Sequence, residues 1–133
     1  MNILIIDAQG GGIGKQVVTA IKQNIPDAVI TAVGTNTTAT SMMLKAGADY
    51  GATGENAVIV GTRKADVIIG PIGIIVADSM FGEITPAMAK AIGQSNAKRI
   101  LIPVNHCDNI VVGRLNLSIK DLIEEVLTEL HKL

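Results

Sequence analysis

Runs of apolar residues alternate along the chain with segments whose apolar positions have helical spacing. Four runs are continuous, without regular alternation of apolar and polar positions, and they lie at residues 3–6, 28–33, 66–70 and 98–105. Continuous runs are typical of strands covered on both faces, because every side chain of such a strand is buried. The helical segments between them supply the crossovers that parallel strands need.

This alternation predicts the fold class. We expect an α/β protein with a Rossmann-like, doubly wound, mostly parallel sheet of about five strands and helices on both faces. The start of the helix at Thr85 is well marked, because a capping hydroxyl is followed by proline at the first helical position. The helices are predicted to begin near Ile13, after residue 41, at Thr85 and at Ser118.

Residues 48–60 fit two kinds of element. Thr53, followed by Glu55 and Asn56, is typical of a helix start, whereas the β-branched residues at 58–60 would also suit a strand. We favour a helix for this segment, since successive parallel strands need a crossover of about a dozen residues.

The C-terminal helix is the best-specified element of the chain. Ser118 and Asp121 form a predicted capping pair, and Leu117 and Leu122 flank it as a hydrophobic staple. One apolar stripe then follows at helical spacing, formed by Ile119, Leu122, Ile123, Val126, Leu127, Leu130 and Leu133.

Length and composition limit the class of protein. A chain of 133 residues has the size of one domain, and we expect a single domain over residues 1–133. The net charge of −1 and the aromatic content of 2% argue against nucleic-acid binding, which uses basic surfaces and aromatic stacking platforms. Cys107 is the only cysteine in the sequence, so an intrachain disulfide is excluded.

The apolar stretches are too short for a membrane span. The longest begins at Ala65, is interrupted by Asp66 and Pro71, and falls short of the roughly 20 residues that a span requires. The first apolar run has no basic leader, so we expect no signal peptide and a cytoplasmic location. Because 48% of this small chain is apolar, some apolar surface remains after folding, and we expect a homo-oligomer.

The loop after the first strand is the main candidate for a binding site. Residues 7–16 read D-A-Q-G-G-G-I-G-K-Q, with four glycines in five positions. Glycine is costly to order, so the loop indicates a tight turn or the close approach of a ligand to the backbone. Amide groups at a helix start favour an anion, and we expect a phosphate-bearing small molecule there. The candidate binding residues of this loop are Gly10, Gly11, Gly12, Ile13, Gly14 and Lys15.

The same loop departs from two known phosphate-binding motifs. The dinucleotide fingerprint G-x-G-x-x-G fits at Gly10 and Gly12, but its last position is Lys15. The acid that usually follows the second strand and binds a ribose hydroxyl is absent, because Gly34-Thr35-Asn36 stands there. A P-loop needs Ser or Thr after the lysine to hold magnesium, and the chain has Gln16. A nucleotide or dinucleotide is the cofactor class that we consider, with or without magnesium.

Asp7 ends the first strand and is the one catalytic candidate. Its carboxylate would repel a phosphate unless a cation lay between them. We consider three roles: a magnesium ligand or base, an acceptor for a ligand hydroxyl, and a structural acceptor for amides of the glycine turn. No residues have the spacing of a protein metal site, so we predict no metal-binding set.

Other polar residues are expected at the same edge of the sheet, because ligands of such folds bind beyond the carboxyl ends of the strands. Single residues of the loop 77–86, such as Glu83, are equally well explained as solvated loop residues. His106 and Cys107 are adjacent in an extended segment and point to opposite faces, which argues against a catalytic pair. The candidates that we add to the site are Thr35, Asn36, Gly70, Pro71 and Asn105.

Several segments taken together resemble a known family. They are D-A-Q-G-G-G-I-G-K, G-T-N-T-T-A-T-S-M-M-L-K-A-G-A-D, G-A-T-G-E-N-A, V-I-I-G-P-I-G-I-I and I-L-I-P-V-N-H-C. The combination resembles a family of short bacterial proteins described as a domain of unknown function, and it covers essentially the whole chain. The resemblance implies a bacterial, single-domain protein, and it implies no activity, cofactor or catalytic residue.

Three functions are compatible with these patterns. The first is a small Rossmann-like protein that binds a phosphate-bearing metabolite or nucleotide at the glycine loop. The second is a magnesium-assisted enzyme that uses Asp7 at the same site. The third is a non-enzymatic interaction protein in which the glycines serve packing alone. The sequence offers no nucleophile–base pair, so whether the protein is an enzyme stays open.

Overall fold

The computed structural model describes residues 1–104, 108–113 and 116–133. Over these residues strands and helices alternate, and a short 3₁₀ helix, Ile72–Ile75, follows the fourth strand. The strands are β1 (Asn2–Asp7), β2 (Val29–Gly34), β3 (Tyr50–Thr53), β4 (Val67–Pro71) and β5 (Lys98–Ile102). The α-helices are α1 (Gly12–Asn24), α2 (Thr37–Lys45), α3 (Glu55–Lys64), α4 (Pro86–Gln94) and α5 (Ile119–His131).

The five strands form one parallel sheet in the order β3-β2-β1-β4-β5. The strand order reverses between β1 and β4, which is the point where ligands of doubly wound folds bind. Asp7 lies beside Gly34, and Gly34 beside Thr53, so these strand ends meet at one edge of the sheet, called here the carboxyl edge. The opposite edge, where the strands begin, is called the amino edge. The predicted fold class is confirmed.

The hydrophobic core is divided by the sheet into two layers. On one face Ile3 and Ile5 of β1 pack with residues of α1, α2 and α5, and Leu4 and Ile6 point to the other face, where α3 and α4 lie. Because both faces of β1 are covered, every residue of the strand after Asn2 is buried, and residues 3–6 form a continuous apolar run. The predicted helices on both faces are confirmed.

The C-terminal helix has the predicted cap and most of the predicted stripe. The Ser118 hydroxyl accepts a hydrogen bond from the Asp121 amide at 3.1 Å, and Leu117 packs against the core. Leu133 is the exception, because it lies beyond the last helical residue and is 53% exposed. The stripe residues that are buried are Leu122, Ile123, Val126 and Leu130.

The prediction of a helix over residues 48–60 is right from residue 55 onward and wrong before it. Helix α3 includes the β-branched residues at 58–60, but β3 precedes it and was missed. Among the described strands this one lies at the edge of the sheet and pairs with β2, and all four of its residues are exposed. Its sequence Y-G-A-T therefore lacks the apolar run by which the other strands were recognised.

The last strand is shorter than predicted. It ends at Ile102 instead of residue 105, and Ile102 is in register with Pro71, the final residue of β4. Pro103 follows and has no amide hydrogen for a further ladder bond. Asn105, His106 and Cys107 lie outside the described residues.

Candidate functional site

Asp7 fixes the glycine loop from inside. Its two carboxylate oxygens accept hydrogen bonds from the amides of Ala8 at 2.8 Å and Gly14 at 2.7 Å. Gly14 is the third residue of α1, so the carboxylate caps the helix start as well as the turn. These contacts match one of the three roles considered for Asp7, that of a structural acceptor for amides of the glycine turn.

Burial sets the ionisation of Asp7. Its side chain is 3% exposed, and removal from water raises its pKa above the ordinary value. The two amide hydrogen bonds act in the opposite direction, whereas the nearby carboxylate of Glu83 raises the pKa further. Asp7 is therefore a buried acid that is held in place by the main chain.

Two glycines of the loop are required by the architecture. Gly11 has φ +73°, and an added Cβ would lie 2.8 Å from the Cα of Ala39 in α2. At Gly14 an added Cβ would lie 2.5 Å from the sulfur of Met43 and 3.0 Å from the Cβ of Asp7. Side chains at these two positions would push α1 away from the sheet and from α2.

Packing does not require glycine at the other two positions of the loop, Gly10 and Gly12. An added Cβ at Gly10 or Gly12 would meet no atom within 4 Å, and neither residue has a positive φ. Within the described part of the chain, the amides of Gly10, Gly12 and Ile13 also donate to no acceptor. These three N–H groups lie at the start of α1, where the helix dipole favours negative charge. The loop thus combines two packing glycines with an open row of donors.

A carboxylate from a distant loop lies against the same turn. One oxygen of Glu83, Oε1, accepts hydrogen bonds from the Gln9 amide at 2.9 Å, the Thr35 hydroxyl at 2.6 Å and the Asn36 side-chain amide at 2.9 Å. Asn36 in turn caps α2 by accepting the Ala39 amide, and it donates to the Gln9 carbonyl. Glu83 therefore ties the loop after β4 to the ends of β1 and β2.

The pKa of Glu83 is shifted in the opposite direction to that of Asp7. Burial raises it, but the hydrogen bonds from Thr35, Gln9 and Asn36 together outweigh burial and bring the pKa below the ordinary value. Glu83 is therefore ionised at neutral pH and can only accept hydrogen bonds. Only Oε1 has a partner within the described residues, so Oε2 retains its full acceptor capacity.

The loop that carries Glu83 is built as a tight, unusual turn. Positive φ angles occur at Asp78, Met80 and Phe81, where side chains rarely allow them. Hydrogen bonds hold this conformation: the Asp78 amide donates to the Ile84 carbonyl at 2.7 Å, and the Ser79 hydroxyl donates to the Gly73 carbonyl. The turn projects Phe81 into solvent with 99% exposure.

Sequence reasoning did not place Glu83 in the site. Its partners lie 47 to 74 residues away along the chain, and a single glutamate in a loop has no local pattern that indicates such contacts. Only its position next to buried Ile84 distinguishes it from a solvated loop residue. Thr35 and Asn36, which were predicted for the site, are brought to Glu83.

The remaining candidates are less central. Lys15 is exposed and lines a groove between α1 and α5, with Lys120 and Glu124 on the opposite side. Gly70 and Pro71 are buried at the end of β4, and Gly70 is needed for packing, because its Cβ would lie 2.5 Å from the Ile6 carbonyl oxygen. Asn105 is outside the described residues, so its place in the site stays a prediction.

A second concave surface lies away from this edge. A groove of about 430 Å³ runs along the outer part of the sheet, between β1–β3 and α3, and its lining includes Val33, Tyr50 and Val60. It begins near the amino edge, its lining is mainly apolar with Asn2, Thr31 and Lys64 as polar members, and it includes no group of the glycine loop. We therefore place the candidate site at the carboxyl edge, where the polar groups converge.

Neither a cluster of metal ligands nor a helix able to cross a membrane occurs among the described residues. Across residues 1–104, 108–113 and 116–133, no three side chains of the types His, Cys, Asp and Glu lie together as a metal site requires. None of the helices in those ranges is long and apolar enough to cross a membrane.

Comparison with known proteins identifies the family of this chain. No curated protein matches this sequence. Among solved structures, the chain is similar to a dodecameric FMN-dependent Ubix-like decarboxylase from Escherichia coli O157:H7, with 17% identity and a TM-score of 0.49. That match covers 99% of this chain and 75% of the decarboxylase chain. Residues 2–133 match the family described as a domain of unknown function (DUF3842), which confirms the resemblance seen in the sequence, and the chain belongs to this family.

Proposed function

We propose that this protein binds a phosphate-bearing small molecule, of the nucleotide class, at the carboxyl edge of the sheet. One observation carries the proposal: Gly10 and Gly12 face open space, and packing gives no reason for glycine at either position. Close approach of a ligand to the backbone is the remaining reason for glycine there. The amides of Gly10, Gly12 and Ile13 are the donors that a phosphate would use.

The loop divides its donors between protein and ligand. The carboxylates of Asp7 and Glu83 accept hydrogen bonds from the amides of Gly14 and Gln9, respectively, and thereby fix the turn. Between these two fixed points the Gly11 amide donates to the Ala8 carbonyl, whereas the amides of Gly10, Gly12 and Ile13 stay available. The fixed turn preorganises these open amides for a ligand. A phosphate at this position would lie over the start of α1, with its charge favoured by the helix dipole.

The two other functions considered from the sequence receive less support. A magnesium-assisted role for Asp7 needs a free carboxylate oxygen, and both oxygens already accept main-chain hydrogen bonds in a buried setting. A purely structural glycine turn explains Gly11 and Gly14 but leaves Gly10 and Gly12 unexplained.

The test is a ligand screen with matched glycine variants. Thermal shift and calorimetry would cover nucleoside phosphates, dinucleotides, flavin mononucleotide and sugar phosphates, each with and without magnesium. A ligand at about 100 times its dissociation constant is expected to stabilise the protein by about 2.7 kcal/mol. Gly12→Val should abolish that shift, because its side chain would fill the space in front of the amides.

The control is Gly93→Val. Gly93 also faces open space, but it lies near the end of α4, away from the glycine loop. Both variants place the same β-branched residue at an open helical position, so stability should change by a similar small amount in each, and only Gly12→Val should lose binding. If no phosphate compound shifts the wild-type protein, or if both variants bind equally well, the proposal is wrong.

Self-association is a separate proposal. Phe81, Ile110 and Val112 are each at least 90% exposed, although residues of their types are normally buried. We propose that these side chains are covered in a homo-oligomer. Sedimentation velocity of the wild type and of Phe81→Ser should show an assembly that Phe81→Ser weakens, and a wild-type monomer at high concentration would contradict it.

A further inference from the structure

We propose that Glu83 accepts a hydrogen bond from a sugar hydroxyl, so that the ligand of this site is a ribosyl phosphate with a free 2′-hydroxyl. The inference rests on the proposed function and deepens it. No acidic residue directly follows β2 in the sequence, yet the fold brings the carboxylate of Glu83 to the end of β2.

The contacts place this carboxylate where a sugar would meet it. Oε1 of Glu83 is held by Thr35 and Asn36, the two residues that follow β2, and by the amide of Gln9. Gln9 directly precedes the glycine whose amide is the first open donor. A ligand whose phosphate lies on the amides of Gly10, Gly12 and Ile13 would therefore extend its next atoms past Glu83.

The chemistry of Glu83 limits what those atoms are. Three donors fix Oε1, whereas Oε2 accepts no hydrogen bond from the described residues and has room for one or two donors. An ionised carboxylate attracts hydroxyl groups and repels a second phosphate. A sugar phosphate combines the two groups required, a phosphate for the amides and hydroxyls for Oε2. A 2′-phosphate would meet the negative charge of Glu83 and should be rejected.

A competing interpretation uses the same contacts. Glu83 would then occupy the position of the ligand's own anion, and binding would require its displacement. The three hydrogen bonds to Oε1 argue against displacement, because all of them would have to break when the carboxylate moves away. The two interpretations predict opposite effects when the carboxylate is removed.

The experiment compares how the wild type and two variants bind matched ribose and deoxyribose compounds. Dissociation constants would be measured by calorimetry or NMR titration for adenosine 5′-monophosphate and its 2′-deoxy form, and for ribose 5-phosphate and 2-deoxyribose 5-phosphate as probes without a base. The proteins would be the wild type, Glu83→Gln and Gly12→Val. Wild-type protein should prefer each ribose compound about tenfold or more, as expected for a hydrogen bond to a charged group. In Glu83→Gln this preference should fall to about twofold or less.

The matched control is Glu55→Gln. Glu55 also accepts a threonine hydroxyl at 2.6 Å, from Thr85, and it lies in the first turn of α3. Its replacement by Gln removes the same charge and leaves the same kind of hydrogen bond neutral, so the ribose preference should persist there. Unfolding curves of both variants establish that each is folded at the assay temperature.

Each outcome distinguishes the inference from the proposed function. Equal binding of ribose and deoxyribose compounds by the wild type, with loss in Gly12→Val, would overturn the role of Glu83 and leave phosphate binding intact. Tighter binding by Glu83→Gln would also overturn it and identify Glu83 as a competitor. If the wild type binds none of the phosphate compounds of the screen or of this cycle, the proposed function fails, and the inference fails with it.

Discussion

Carboxylates hold backbone amides at both edges of the sheet, but in different surroundings. At the amino edge Asp66 accepts the Asn2 amide at 2.7 Å, and Asp49 accepts the Ile30 amide at 2.8 Å and the Lys22 ammonium at 2.6 Å. Both aspartates are exposed residues. At the carboxyl edge, Asp7 accepts two amides while only 3% exposed.

The two edges also differ in whether their backbone amides have acceptors. At the amino edge the amides of Asn2, Ile30 and Lys98 all have acceptors, so the strand starts are closed to further partners. At the carboxyl edge a buried acid and a second carboxylate fix the turn and leave neighbouring amides open. The open amides at this edge are the groups that the proposed phosphate ligand would use.

The largest expected effect comes from removing the buried acid. Asp7→Ala leaves the amides of Ala8 and Gly14 without acceptors inside the protein, and we expect a loss of about 3 kcal/mol in the free energy of unfolding. Asp66→Ala removes one bond to an exposed amide that water can replace, and the loss should be below about 1 kcal/mol. Urea unfolding of both variants measures the contrast.

Equal losses for the two variants would contradict the difference between the edges. The asymmetry would then have to come from packing around Asp7 instead of from its amide bonds. Asp7→Asn distinguishes these two causes, because it keeps the volume of the side chain and one acceptor oxygen.

The next effect concerns the packing glycines. Gly11→Ala places a Cβ on a residue with φ +73° and against the backbone of Ala39, and we expect a loss of about 2 kcal/mol. Gly10→Ala is the matched change one residue earlier, where no atom lies within 4 Å of the added Cβ, and it should leave stability unchanged to within about 0.5 kcal/mol. Thermal or urea unfolding would show the difference, and similar behaviour of the two variants would remove the distinction between packing and open glycines.

The fold was predictable from the sequence wherever burial leaves a pattern. Strands such as β1 and β4 are covered on both faces, and their continuous apolar runs indicated a parallel sheet. Strand β3 lies at the edge with every side chain exposed, so no pattern marked it. The cap at Ser118 was visible because capping is local, within three residues.

The site was predictable only in part, for a related reason. The loop at Gly10–Gly14 was visible because glycines cluster in the sequence, but the sequence does not reveal which of them face a neighbour. That distinction depends on Ala39 and Met43, which α2 brings against the loop. The role of Glu83 was hidden because its contacts are made across the fold.

The two edges should also respond to pH in opposite directions. Burial raises the pKa of Asp7, so the stability that comes from its protonated form is complete below the ordinary value of 3.8 and is lost as the pH rises through the raised pKa. The Ile30 amide and Lys22 lower the pKa of Asp49, so its contribution is present above 3.8 and is lost as the pH falls through the lowered pKa.

Unfolding free energies of the wild type, Asp7→Asn and Asp49→Asn, measured from about pH 3 to about pH 7, would test these opposite directions. As the pH rises, the stability gap to the wild type should narrow for Asp7→Asn and widen for Asp49→Asn. Because Asp49 is exposed, its gap should stay below about 1 kcal/mol after solvent screening. Parallel pH profiles for the two variants would contradict the opposite pKa shifts.

The smallest effect tests whether the open part of the carboxyl edge serves a ligand. Gly12→Ala should stabilise the free protein by about 0.5 kcal/mol, because alanine favours a helix more than glycine does and its Cβ meets no atom. Gly93→Ala in α4 should give a similar gain for the same reason. Only Gly12→Ala should weaken a phosphate ligand, since its methyl group stands in front of the open amides. A gain in stability joined to a loss of binding would show that glycine at this position is kept for a ligand and against the preference of the fold. If Gly12→Ala destabilises the free protein instead, the glycine belongs to the architecture, and the carboxyl edge is as closed as the amino edge.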